Sequence, residues 1–185
     1  MRNVSWMNVT VFAGLLFSAG PSLADGAPPR TAQGSAPTPA DRDFLVRALG
    51  VNQTEILLGR MASKRGTTPE VRAMGDKMVQ RHTELAQQLG ELAQIDPAAE
   101  PPTLTADQQK TVARLAATSE SEFDRSFKDT VDAGHVDELA MYREEVRRSS
   151  DPRLSALAAV RVAALERAVA SARPAANVPA RKADW

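Results

Sequence analysis

The sequence predicts an all-α protein, four helices running up, down, up and down in one bundle. Three observations predict it. Apolar residues recur at steps of three and four through the middle of the chain, and nothing alternates as a half-buried strand would. Helix starts are written as Thr or Asp before Pro, and helix stops as Gly, Asp-Pro or Ser-Ser. Aromatic residues make up only 4% of the 185 residues, while Ala, Leu, Glu, Arg and Gln dominate; that balance favours helix over sheet.

The first element is an address. Arg2 supplies a short positive region, Val9 to Ala19 an apolar run, and Ser22-Leu23-Ala24 a small-x-small cleavage site, so residues 1–24 read as a secretory signal cut after Ala24. The run is too short for a spanning helix, and an uncleaved anchor is the alternative. No Cys follows it, which excludes lipoprotein attachment. The expected location is periplasmic or secreted. Residues 25–40 are rich in Pro, Ala, Gly and Ser and read as a flexible linker; residues 173–185 read as a disordered tail ending at Trp185. The folded domain is expected over residues 41–172, with no later membrane span.

The helices follow in order. The first, 39–64, starts at Thr38-Pro39-Ala40-Asp41, with a cap, a Pro in the first turn and an acid for a capping box, and stops at Gly66. The second, 69–95, starts at Thr68-Pro69-Glu70 and stops at Asp96-Pro97. The third, 106–148, starts at Thr105 with Gln108 completing a box, and stops at Ser149-Ser150. Ser119 with Glu122 is a further box inside it, so this helix is expected to be kinked or broken near residue 118. The last, 152–172, opens at Asp151-Pro152. Short connections, apart from the Pro-rich 96–104, make neighbours antiparallel. Gly50 and Gly59 in the first helix predict close helix approach or a bend.

Each helix carries a seam. Phe44, Ala48, Val51, Glu55, Leu58 and Ala62 mark the first; Val71, Met74, Met78, His82, Leu85, Leu89 and Leu92 the second. Phe127, Val131, His135, Leu139, Tyr142 and Val146 mark the third; Leu154, Leu157, Arg161, Leu165, Ala168 and Ala172 the last.

Function classes narrow quickly. Lys plus Arg and Asp plus Glu both count 23, so no strong general attraction to nucleic acid or anionic lipid is expected. The absence of Cys removes disulfides, thiolate metal sites and Cys nucleophiles. There is no nucleophile elbow, phosphate loop, zinc-protease motif or dinucleotide fingerprint. Met61, Met74 and Met78 at helix spacing are better explained by core filling than by copper. Glu144-Glu145 with Arg147-Arg148 reads as a solvated mixed-charge face.

The informative residues break the seams. Glu55, His82 and His135 are polar on apolar stripes, and Arg161 is a fourth, expected to pair with Glu55. Two readings compete. In the favoured one the histidines are structural, satisfied by backbone, Glu55 or water. In the other, Glu55, His82, Asp132 and His135 hold a transition metal ion such as iron, zinc, manganese or copper. A full carboxylate dimetal set is missing, since Val79 precedes His82 where such a motif carries an acid.

Several of these residues carry a resemblance. Asp43-Phe44, Ala48, Glu55, Gly59-Arg60-Met61-Ala62, Glu70-Val71-Arg72, Met74-Gly75, Met78-Val79, His82, Leu85 and Leu89, then Phe123-Asp124, His135 and Tyr142, resemble a family of exported bacterial ferritin-like four-helix domains of unknown function, often described as predicted outer membrane proteins. The resemblance spans about 41–172 and implies a ferritin-like bundle in the cell envelope with no established activity. Strands of barrel length are missing, so nothing here supports an outer-membrane barrel. That family's last helix carries a Pro and then a His, and the corresponding positions here are Ala163 and Ala168. The overall expectation is an exported bundle that acts by binding an envelope partner or ligand, not by catalysis; the alternative is a ferritin-like metal-binding protein.

Overall fold

The computed structural model describes residues 37–172. Among them lie five helices and no strand: α1 (Pro39–Arg65), α2 (Pro69–Ala93), α3 (Ala106–Ala116), α4 (Glu120–Arg148) and α5 (Pro152–Ala172). The expected signal segment, most of the linker and the C-terminal tail with Trp185 lie outside the described residues. Because α1 starts at Pro39, the last two positions of the expected linker are helical.

Local chemistry sets most boundaries. Thr38 Oγ1 accepts from the Asp41 backbone N–H at 3.1 Å while the Asp41 carboxylate accepts from the Thr38 N–H at 2.8 Å, a complete capping box. Thr105 and Gln108 repeat it at the start of α3, and Thr68 caps α2 through the Val71 N–H. Asp151 Oδ1 accepts from the Arg153 N–H at 2.9 Å and opens α5. α2 ends at Gln94, whose left-handed φ of 60° breaks the helix.

Ser119 departs from expectation: its hydroxyl donates to Glu122 Oε2 at 3.2 Å and caps no backbone N–H. The expected break is nonetheless there, and it makes the third helix two. Arg65 accounts for it. Its guanidinium donates to the carbonyls of Leu115, Ala116 and Thr118 at 3.3, 2.8 and 2.6 Å, satisfying the free end of α3. The same group lies 4.5 Å over the Phe123 ring, pinning the start of α4.

The up-down-up-down order is not observed. α1 and α2 form one antiparallel hairpin, with Asn52 opposite His82 and Ser63 opposite Asp76. α4 starts beside the end of α1, where Asp124 accepts from the N–H groups of Thr67 and Thr68. It ends beside the start of α1, where Arg148 donates to the Ala40 carbonyl. α4 is thus antiparallel to α1 and parallel to α2, and the order of the long helices is up, down, down, up. The connection between α2 and α4 carries the chain back along the bundle, and α3 is packed on α1 and α4 as its second half. The short-connection rule fails for this one link because it is long enough to hold a helix.

α1 and α2 approach very closely at Gly59 and Gly75. A Cβ on Gly75 would stand 2.6 Å from the Gly59 carbonyl oxygen and 2.5 Å from the Ser63 nitrogen, so glycine alone fits.

Two apolar clusters fill the bundle. One gathers Phe44, Leu89, Tyr142 and Leu154; the other Leu58, Val71, Phe123 and Phe127. Along α1, α2 and α4 the polar seam-breakers fall between them, whereas Arg161 of α5 lies between Ala158 and Leu165, both of the first cluster. The predicted seams fail at Met74, Val146 and Ala172, which are exposed, and Glu145 is buried in place of Val146, paired with Arg148.

Candidate functional site

The polar layer is built by four helices. α1 contributes Asn52 and Glu55, α2 His82, α4 His135 and Glu138, and α5 Arg161. Burying so many polar groups is costly unless they satisfy one another, and most do.

Arg161 and Glu138 form a two-pronged pair, Nε to Oε1 at 3.0 Å and Nη2 to Oε2 at 2.8 Å. The side chains are 17% and 2% exposed. The expected Arg161–Glu55 pairing is therefore corrected: Glu138, one turn beyond His135, lies directly across from α5 and takes both prongs of the guanidinium.

Asn52 clamps His82. Its amide nitrogen donates to the His82 backbone carbonyl at 2.5 Å, which leaves its amide oxygen against His82 Nδ1 at 2.8 Å. The flipped amide would set oxygen against oxygen, so Nδ1 must carry the proton and Nε2 the lone pair. Burial, then the nearby Arg161 and His135, push the His82 pKa down to about 3, so the ring is neutral. Burial also lowers the pKa of His135, against the opposing pull of Glu138.

Glu55 stands against Gly134 of α4, where an added Cβ would meet its Oε1 at 3.2 Å. Burial raises its pKa to about 8, helped by Glu138 and opposed by Arg161, so the side chain is a neutral acid near pH 7. Glu55 Oε2, His135 Nδ1 and the Tyr142 hydroxyl are buried without a hydrogen-bond partner among the described residues.

The bundle is not equally tight on all sides. Between α2 and α5 runs a groove, with one cavity of about 500 Å³ whose lining includes Met78, His82, His135, Arg161 and Ala168. A second, of about 400 Å³, continues it toward Leu85 and Leu157. Arg161 and Ala164 line both.

The four candidate metal ligands are thus divided. His82 and His135 share the groove. Glu55 faces a different cavity, under α3, and Asp132 a third, beside Val169. Among the described residues, no three His, Asp or Glu side chains are grouped so as to hold a metal ion. A carboxylate-bridged dimetal centre does not fit this layer, because Glu138 is taken by Arg161 and Glu55 lines a different cavity from the two histidines.

Sequence reasoning missed Asn52 and Glu138, and its reading of Glu145 as part of a solvated face is corrected, since the side chain is fully buried beside Arg148. The spacing of Phe127, Val131, Glu138, Tyr142 and Glu145 was the available signal for the two acids. Asn52 lies three residues before Glu55 on the first helix, and that spacing was its signal.

A family model described as "Domain of unknown function (DUF4142)" matches residues 26–174. The chain belongs to the DUF4142 family. The DUF4142 match takes in every helix described here, and with it the whole polar layer and the groove. Comparison with curated proteins finds no match, and comparison with solved structures finds none.

Proposed function

We propose that this DUF4142 protein is an exported helical bundle that binds a small ligand in the α2–α5 groove and does no chemistry on it. The groove carries the reading: two adjoining cavities run between α2 and α5, and two imidazoles line the first. The clamp on His82 presents a lone pair in a fixed direction, which is a recognition device. The ionisable groups suited to acid–base work are occupied with each other or neutralised by burial. Arg2, the apolar run from Val9 and Ser22-Leu23-Ala24 support export. The single long return between two antiparallel hairpins is the connectivity of ferritin-like bundles, which supports that fold family without importing its chemistry. Among the described residues no helix is long and apolar enough to cross a membrane.

The test is native mass spectrometry and metal analysis of exported protein purified without chelator or histidine tag. Ala164→Trp fills the groove from α5. The reading expects a ligand on the wild-type chain that this variant lacks. A chain that carries nothing, or a ligand that stays on Ala164→Trp, would overturn it.

A further inference from the structure

We propose that the groove ligand is a single-chain anionic amphiphile, a medium-chain alkyl carboxylate, with its head at Lys77, Arg81 and Arg161 and its chain along Leu85, Leu157 and Val160. This rests on the groove reading and gives the ligand a chemical class.

The charges select an anion. Lys77 and Arg81 are four residues apart on α2, so they share one helix face, and both line the first cavity. Like charges at this spacing repel and weaken a helix unless something negative lies between them. Among the described residues neither makes a salt bridge. Arg161 lines the same cavity from α5; its Nε and Nη2 are spent on Glu138, which leaves Nη1 to donate elsewhere. After burial, the charges of Arg161, His135 and Arg81 all help to lower the His82 pKa, so the two arginines lie within electrostatic reach of one ring. The acids of the groove do not answer these charges. Glu70 is exposed and stands about two turns before Lys77 and three before Arg81. Glu84, in the second cavity, accepts from Gln80 at 3.0 Å.

The apolar surface selects the rest of the ligand. α2 packs on α1 and α5 on α4, while α2 and α5 make no comparable packing with each other. Aliphatic side chains therefore stay uncovered between them. Val160 is 73% exposed, and it lines the second cavity with the half-buried Leu85 and Leu157. Arg81 and Arg161 line both cavities, so the cationic end opens directly into an aliphatic trough. From Arg81 to Gln88, the last α2 residue of that trough, the helix rises about 10 Å, room for a medium alkyl chain. His82 Nε2 is an acceptor that a carboxylate avoids, so the head sits on the Lys77–Arg81 side of the ring.

The test is isothermal titration calorimetry of the full exported chain with decanoate, decyltrimethylammonium and acetate. Wild-type protein is expected to bind one decanoate per chain and neither of the other two. The double variant Lys77→Gln, Arg81→Gln changes two exposed side chains, leaves the core alone, and should bind decanoate at least about tenfold more weakly. Ala164→Trp intrudes on both cavities and should abolish binding. Failure of decanoate to bind, equal binding of decyltrimethylammonium or acetate, or unchanged affinity in either variant protein would overturn the proposal. If decanoate fails while native mass spectrometry still finds a ligand lost on Ala164→Trp, only the chemical class falls. If neither is seen, the groove reading falls with it.

Discussion

Replacing Arg161 by methionine strands Glu138 in the middle of the bundle. Glu138 is 2% exposed as a side chain, and both of its oxygens lose a charged donor. An uncompensated buried charge of this kind costs about 3–5 kcal/mol. Glu138→Leu strands the guanidinium instead. Arg161 lines the groove and can turn its head toward water, so this cost should fall at the lower end of the same range. The double variant Glu138→Leu, Arg161→Met has no stranded charge, and its stability should lie within about 1 kcal/mol of the parent or above it. Urea denaturation of the four proteins gives the cycle. A double variant as unstable as the two single losses together would refute the reasoning, because the two side chains would then be serving different partners.

Other expectations follow from the same layer. Glu55 has a folded pKa near 8 against an ordinary 4.5, so the native state holds the extra proton and stability falls as pH rises from about 4.5 to 8. His82, near 3 against 6.5, acts in the opposite sense: its contribution is full above about 6.5 and is lost as pH falls toward 3. Thermal melts across pH should therefore show a plateau between about 4.5 and 6.5, and Glu55→Gln should abolish the decline above it; a decline that survives Glu55→Gln would refute the assignment. Gly75→Ala gains about 1 kcal/mol of helix propensity but drives a Cβ onto the α1 backbone at 2.5 Å, so it should destabilise, whereas Gly134→Ala meets only the end of the Glu55 side chain and should be milder. Equal melting temperatures for these two variants would mean that α1 and α2 are not in backbone contact.

What could be read from the sequence was what is local. Thr38, Thr68 and Thr105 announce α1, α2 and α3 because a cap is decided within one turn. Pro39, Pro69 and Pro152 work the same way. The direction of α4 was not legible, because it depends on how far the chain from residue 94 to 119 travels, and composition does not say that α3 will carry it back. His82 and His135 stood out as polar residues on apolar seams, and both line the α2–α5 groove. Glu138 and Glu145 were passed over because a charged residue at a seam position reads as solvent-facing until its partner, on another helix for Glu138 and one turn on for Glu145, is seen. The same reasoning hid Asn52, since what an amide clamps is a question of tertiary placement.

The account turns on His82 as a neutral ring whose Nε2 lone pair faces the groove. Long-range proton–nitrogen NMR of the histidines reads this directly. The account predicts a protonated, pyrrole-type Nδ1 and an unprotonated, pyridine-type Nε2 for His82 at pH 6, unchanged down to about pH 4 because its pKa lies near 3. An imidazolium signal, or the proton on Nε2 instead of Nδ1, would contradict it.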